Sequence, residues 1–276
     1  MSIVRKTASF VYTLDKEPIR NGYVEYDDVD GKIISVGECA PGEDVHPGAI
    51  VPGFVNAHCH IELSHLYKKF RKGTGMAGFI DQINALRDWA GRDVKEQLTL
   101  RWMDKMWNDG VSAMADISND DSSFEVKKAH RLYTRTFLEV FGSEPEMCEG
   151  VMKEVAELQA VADSAGIDAA PTPHSCYTMS PQLLSASAAK GLESGFLSYH
   201  SQESQEEEDL LVSGTGAMYE NRKRSGMSTP PVTGESSLKY FLDRLAAVKA
   251  APYDEHILLV HNVCLQQSDV DAIKKT

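Results

Sequence analysis

Residues 58–60, His-Cys-His, place two imidazoles at alternate positions at the end of the apolar run Ile50 to Ala57. In an extended strand, side chains two apart share a face. His58 and His60 can therefore reach one divalent ion while Cys59 points elsewhere. Neutral imidazole suits Zn, Fe, Ni or Cu. A third imidazole, His200, would complete a three-ligand set that leaves open positions for water and substrate, as catalytic zinc sites require. A water held there loses a proton near neutral pH and becomes a nucleophile.

Other candidates gather around this set. Glu203 follows His200 by three residues, in Tyr199-His-Ser-Gln-Glu, where a carboxyl group can shuttle a proton to the substrate. The plainer alternative is that Glu203 enriches the first turn of a helix in negative charge, as the helix dipole favours. His174, after Pro171-Thr-Pro, can hydrogen-bond a substrate carbonyl or ring nitrogen, or anchor a loop. His261 can orient the water or polarise the scissile group. Glu62 and His65 are candidates for lining the substrate, with Ser64 as a helix cap and a surface role for His65 as the alternative. Glu206 to Asp209 read as solvated surface, and His46, His130 and His256 as structural.

The elements that must position these residues follow from pattern. Residues 1–49 hold short β-like segments, Ala8 to Thr13, Gly22 to Tyr26 and Lys32 to Val36, broken by turn formers such as Asp30-Gly31. They form a small β domain, and residues 50–276 a second domain. Beyond Ser64 a long connector carries helical stretches near Ala77 to Gly91 and Asp93 to Asn108 and can hold a lid. The spacing then predicts strands at Val111 to Ile117, Arg135 to Phe141, Ile167 to Pro173, Gly195 to His200 and Ile257 to Val260. Helices alternate with them: one capped by Ser118 or Asn119 with Asp120 and Asp121 in its first turn, then Glu144 to Ala165, Pro181 to Glu193 and Ser237 to Ala250. A polar loop spans Ser213 to Ser237.

Strands alternating with helices imply a parallel α/β architecture. A doubly wound sheet and a barrel both satisfy this. The barrel is favoured because histidines recur at the carboxyl ends of several strands, where (β/α)8 active sites are assembled. No Gly-x-x-x-x-Gly-Lys-Ser/Thr phosphate cradle is present.

Composition narrows the partners. The 276 residues are 42% apolar and 25% charged, with a formal net charge of −13. That balance is globular, and the negative charge disfavours nucleic acid and anionic membranes. A small polar molecule is the expected partner. No apolar run has the length to span a bilayer and no signal-peptide core is visible, so the expected location is cytoplasmic. The five cysteines are scattered without a Cys-x-x-Cys pair and read as reduced thiols.

Pro52-Gly53-Phe54-Val55-Asn56-Ala57-His58-Cys59-His60, His200 with Glu203, and His261 in Leu259-Val-His-Asn together resemble the amidohydrolase superfamily, in its branch of metal-dependent aminohydrolases and chlorohydrolases. Residues 1–49 are similar to that family's N-terminal β segment. The resemblance implies one metal, zinc in first place and iron in second, held by His58, His60 and His200. It further implies Glu203 as proton shuttle, His261 near the water, and attack of metal-bound hydroxide on a purine, pyrimidine or nucleoside-like heterocycle with loss of ammonia. Glu62-Leu63-Ser64 resembles the matching stretch of aminodeoxyfutalosine deaminases.

One departure stands out. The family closes eight barrel strands and places a metal-binding aspartate after the last, whereas this chain is expected to reach only the sixth. A truncated (β/α)8 TIM-like barrel is therefore expected, with exposed strand edges that favour homo-oligomers. Two alternatives accompany the deaminase reading: a non-catalytic fragment or ligand-binding pseudoenzyme, and a cyclic amide hydrolase.

Overall fold

Proline decides where the main sheet is interrupted. Strand β8 (Ala169–Pro173) carries Pro171 and Pro173, which have no N–H to give to a ladder. Its neighbour β9 (Phe196–Ser201) is joined to it instead through the Thr172 hydroxyl, which donates to the Ser198 carbonyl at 2.5 Å and accepts from the Ser198 N–H at 2.9 Å. Beyond the prolines, the backbone N–H of His200 donates to the His174 carbonyl at 2.8 Å, within a parallel bridge between Ser175 and His200. Two sheets are thus stitched side by side.

The computed structural model describes residues 2–276, which divide after Phe54 into two compact units. The first unit is a four-stranded sheet. Its strands β1 (Ile3–Val11), β2 (Ile19–Asp27), β3 (Ile33–Glu38) and β4 (Ala49–Ile50) take the order β3-β2-β1-β4, antiparallel except for β1 beside β4. Arg5 lies between Glu25 and Glu43, 2.8 Å from each, with its guanidinium over the Tyr23 ring.

The second unit holds β5 (Phe54–Cys59), β6 (Val111–Ser118) and β7 (Tyr133–Val140), which with β8 form a sheet in chain order. Strands β9 and β10 (His256–His261) form the other, parallel with Val260 opposite His200. Helices alternate with these strands: α1 (Gly75–Leu86), α2 (Arg92–Asn108), α3 (Phe124–Ala129), α4 (Cys148–Ala165), α5 (Pro181–Glu193), α6 (Gln205–Ser213), α7 (Gly216–Arg224), α8 (Ser237–Val248) and α9 (Gln267–Ile273). Helix α5 starts on a proline, with Ser180 capping the Leu183 N–H. The largest core cluster lies under α4, α5 and α8, where Tyr199 stacks on Phe241 at 3.8 Å among Leu183, Leu184, Leu197 and Leu245. No helix among the described residues is long and apolar enough to cross a membrane.

Three local expectations are corrected. Asp120 and Asp121 precede α3 rather than opening it: the Asp120 carboxylate accepts the Ser122 N–H at 2.9 Å, and Asp121 takes Arg92 at 2.9 Å. Such short-range carboxylate bonds compete with helix formation. The polar stretch 213–237 contains α7, whose sequence lacks an apolar stripe. Long-range polar bonds hold it, from buried Arg222 to the Tyr177 carbonyl and Ser143 Oγ and from Asn221 to Asp81. Finally, Glu206 to Asp209 are not solvated surface: Glu207 is fully buried and Glu208 nearly so.

Candidate active site

The carboxyl ends of the parallel strands converge on three imidazoles. His58 is in β5, His60 just follows it, and His200 is in β9. His200 Nε2 lies 3.2 Å from His60 Nε2 and 3.3 Å from His58 Nε2. Tetrahedral zinc with nitrogen ligands at about 2.0–2.1 Å separates those ligands by about 3.3–3.4 Å, so the spacing fits one ion. The donors are also in the required form. Burial, with help from neighbouring imidazoles, pushes His58 down to about 4 and also lowers His60 and His200, leaving neutral rings with free lone pairs. His58 Nδ1 is buried without a hydrogen-bond partner. Cys59 faces the other way, with its Sγ 3.5 Å from Asp116.

Asp116 holds this segment in place. Fully buried in β6, it accepts the Ile61 N–H, immediately after His60, at 2.7 Å. Its counter-charge is the equally buried Lys127 from α3, at 2.6 Å.

Glu203 and His261 stand beside the histidines. His261 Nε2 lies 3.3 Å from Glu203 Oε1, and the Tyr177 hydroxyl donates to Glu203 Oε2 at 2.8 Å. Burial, then the Glu203 charge, raises the Tyr177 hydroxyl well above its usual range, so it stays a neutral donor. Behind them Glu207 accepts the backbone N–H groups of Gln202 at 2.9 Å and Glu203 at 2.8 Å, with its own pKa raised to about 7 by burial. His261 and Asn262 have φ of 76° and 52°, a left-handed pair uncommon outside glycine. Bonds from Asn262 N–H to Ser201 and Val263 N–H to Gln202 hold that turn.

His58, His60, His200, Glu203, His261 and Tyr177 line a cavity of about 450 Å³. One wall is apolar, made of Leu63 and Phe70 with Met76, Phe79, Ile80 and Ile83 from α1; the other carries Arg87, Asn119, Glu139, His174, Glu203 and His261. Helix α1 has no buried residue of its own. It is moored by Glu206, whose carboxylate accepts the N–H groups of Met76 at 3.2 Å and Ala77 at 3.0 Å.

Of the residues singled out from the sequence, His58, His60, His200, Glu203, His261 and His174 meet in this cavity. Glu62 and His65 do not line it. Glu62 is buried on the backbone N–H groups of Asn119 and Asp120 at 2.8 and 3.4 Å, and burial lifts its pKa to about 8. His65 packs with its ring nitrogens 3.0 and 2.8 Å from the carbonyls of Glu62 and Arg87. A two-turn 3-10 segment at Ile61–Leu66 rotates both away from the opening. Sequence reasoning missed Glu139, Asn119, Tyr177 and Glu207. Of these only Glu139 left a signal, as a charge inside the apolar run Thr136-Phe-Leu-Glu-Val-Phe.

Solved aminohydrolases share this fold and superpose on nearly the whole chain. No family model matches the sequence. A Helicobacter pylori aminofutalosine deaminase in complex with methylthio-coformycin aligns with a TM-score of 0.77 at 21% identity, over 98% of this chain and 66% of that one. An adenosine deaminase from Xanthomonas campestris with bound zinc aligns with a TM-score of 0.67 at 16% identity, over 97% and 59%. In sequence, a 5-methylthioadenosine/S-adenosylhomocysteine deaminase from Natronomonas pharaonis is 25% identical over 240 residues, 78% of this chain and 52% of the relative. The chain therefore spans about half the length of the curated relative it matches.

Proposed function

We propose that the protein is a metal-dependent aminohydrolase that removes ammonia from a small heterocycle, with an adenine nucleoside bearing an apolar 5′ substituent as the best-fitting class. The observation that carries this reading is the convergence of three neutral imidazoles with the Glu203–His261 pair in one cavity. The six parallel strands are read as consecutive strands of a (β/α)8 barrel, which the coverage of 98% of this chain by the deaminase fold supports. The relatives' names point to adenosine-like substrates, and the apolar α1 wall gives a substituent remote from the base a place to sit.

His58, His60 and His200 would hold the ion, with zinc favoured by the all-imidazole donor set. When bound, the ion would lower the pKa of a water. Glu203 takes a proton from the attacking water and passes it to the ring nitrogen as the water oxygen bonds to the adjacent ring carbon. The remaining proton of that oxygen then goes to the exocyclic amine, the C–N bond breaks, and ammonia leaves a ring carbonyl behind. Tyr177 holds the Glu203 carboxylate from one side and His261 from the other. His174, with Nδ1 2.7 Å from Ser175 Oγ and 2.8 Å from Thr178 Oγ1, is fixed in the cavity lining.

Zinc content and ammonia release from a nucleoside and nucleobase panel test this reading. Zinc-dependent release from adenine nucleosides is expected, with metal and activity both lost in His58→Ala. Turnover indifferent to chelation and to His58→Ala would refute it.

A further inference from the structure

Glu139 has no part in the steps above, yet its carboxylate lies against two of the histidines. It is in β7, one residue before the strand ends, and its side chain is 5% exposed. Oε2 accepts a hydrogen bond from Asn119 Nδ2 at 2.8 Å. Oε1 is closed off from solvent and has no hydrogen-bond partner. It stands 3.6 Å from His200 Nδ1 and 3.7 Å from His174 Nε2.

A buried carboxylate oxygen between two imidazoles is either a ligand for an ion of its own or a group that fixes the rings. The surroundings of His200 decide between these. Its Nε2 points at His58 and His60. Its Nδ1 faces only acceptors, the His174 carbonyl at 3.3 Å and Glu139 Oε1. Acceptors on that side keep the proton on Nδ1, which leaves Nε2 as the bare nitrogen a metal needs. An ion at Glu139 would demand the Nδ1 lone pair as well and strip the ring of both protons. The same carboxylate orders His174: the hydroxyls of Ser175 and Thr178 can donate to its Nδ1, so its proton belongs on Nε2, toward Glu139.

We propose that Glu139 is a positioning residue, a single carboxylate that sets the tautomer and orientation of both His200 and His174 without itself binding the ion. This rests on reading His58, His60 and His200 as the metal site. Asn119, tied in turn to Arg87 at 3.1 Å, aims the carboxylate.

Zinc titration against a chromophoric chelator, with ¹⁵N spectra of the histidine rings, tests the proposal on the wild-type chain, Glu139→Gln and Glu139→Ala. In wild type about one zinc per chain is expected, with His200 protonated at Nδ1. Loss of such an outer carboxylate typically weakens metal binding about 10- to 100-fold; Glu139→Ala should show that loss, and Glu139→Gln, which keeps an acceptor, a smaller one. Zinc affinity unchanged in Glu139→Ala overturns the proposal, as does a second zinc in wild type that disappears in Glu139→Ala. Should Glu139→Ala not fold, the wild-type rings still decide, since a His200 Nδ1 without its proton is incompatible with the assignment. A wild-type chain that takes up no zinc overturns the metal-site reading along with it, whereas zinc uptake undiminished by the substitution overturns this inference alone.

Discussion

Replacing Lys127 by Met isolates what the buried ion pair contributes. Lys127 and Asp116 are 1% and 0% exposed, with Nζ 2.6 Å from Oδ2. The ammonium also donates to Ser118 Oγ at 2.8 Å and Thr136 Oγ1 at 3.2 Å. Met keeps most of the stem volume but leaves Asp116 charged, buried and without its cation. Breaking a buried pair in this way costs about 3–5 kcal/mol. With an m-value of about 3 kcal/mol/M, the urea midpoint should fall by about 1–1.7 M. Trp89, Trp102 and Trp107 all lie in the second unit, so tryptophan fluorescence reports its unfolding. The double variant Asp116→Asn with Lys127→Met removes both charges and retains an acceptor for the Ile61 N–H. It should be more stable than Lys127→Met alone by about 2 kcal/mol or more. Because Ile61 follows His60, Lys127→Met should also weaken zinc binding. A midpoint within about 0.3 M of wild type, or additive behaviour of the two substitutions, would refute the reasoning.

Two further outcomes follow from buried carboxylates. Glu207 has its pKa raised from 4.5 to about 7, so the folded state holds this proton more tightly than the unfolded chain. Its contribution therefore favours folding at low pH and declines as pH rises from about 4.5 through about 7, by about 3 kcal/mol at most. Urea unfolding of Glu207→Gln across that window should show a shallower decline than wild type, and parallel curves would count against the assignment. Glu206 caps the first N–H groups of α1, and such a cap contributes about 1 kcal/mol. Glu206→Ala should speed amide exchange in residues 75–86 about fivefold while the strands keep their protection; unchanged exchange there would mean the mooring lies elsewhere.

Alternation and apolar runs already located the strands in the sequence, because periods of two and of 3.6 residues are local properties of the backbone. Thus Pro181–Glu193 is the helix its pattern describes, and the strand ending near His58 carries its two imidazoles to one side. Helix α7 escaped because its anchors, Arg222 and Asn221, bond to residues far away in the chain. Glu62 and His65 follow the paired histidines closely, yet a short 3-10 segment removes both from the cavity.

The sequence by itself determined the His58-x-His60 pair, its place at a strand end, and the order in which His200, Glu203 and His261 follow. Burial of the carboxylates was decided only by the tertiary structure. Glu206 to Asp209 look like any solvated acidic helix face until α8, the Cys176 loop and α1 pack over them, and Glu139 becomes an orienting group only when β7 lies beside β8, which in turn borders β9. Whether a charge meets water or another side chain depends on what the distant chain brings to it, and no local pattern encodes that.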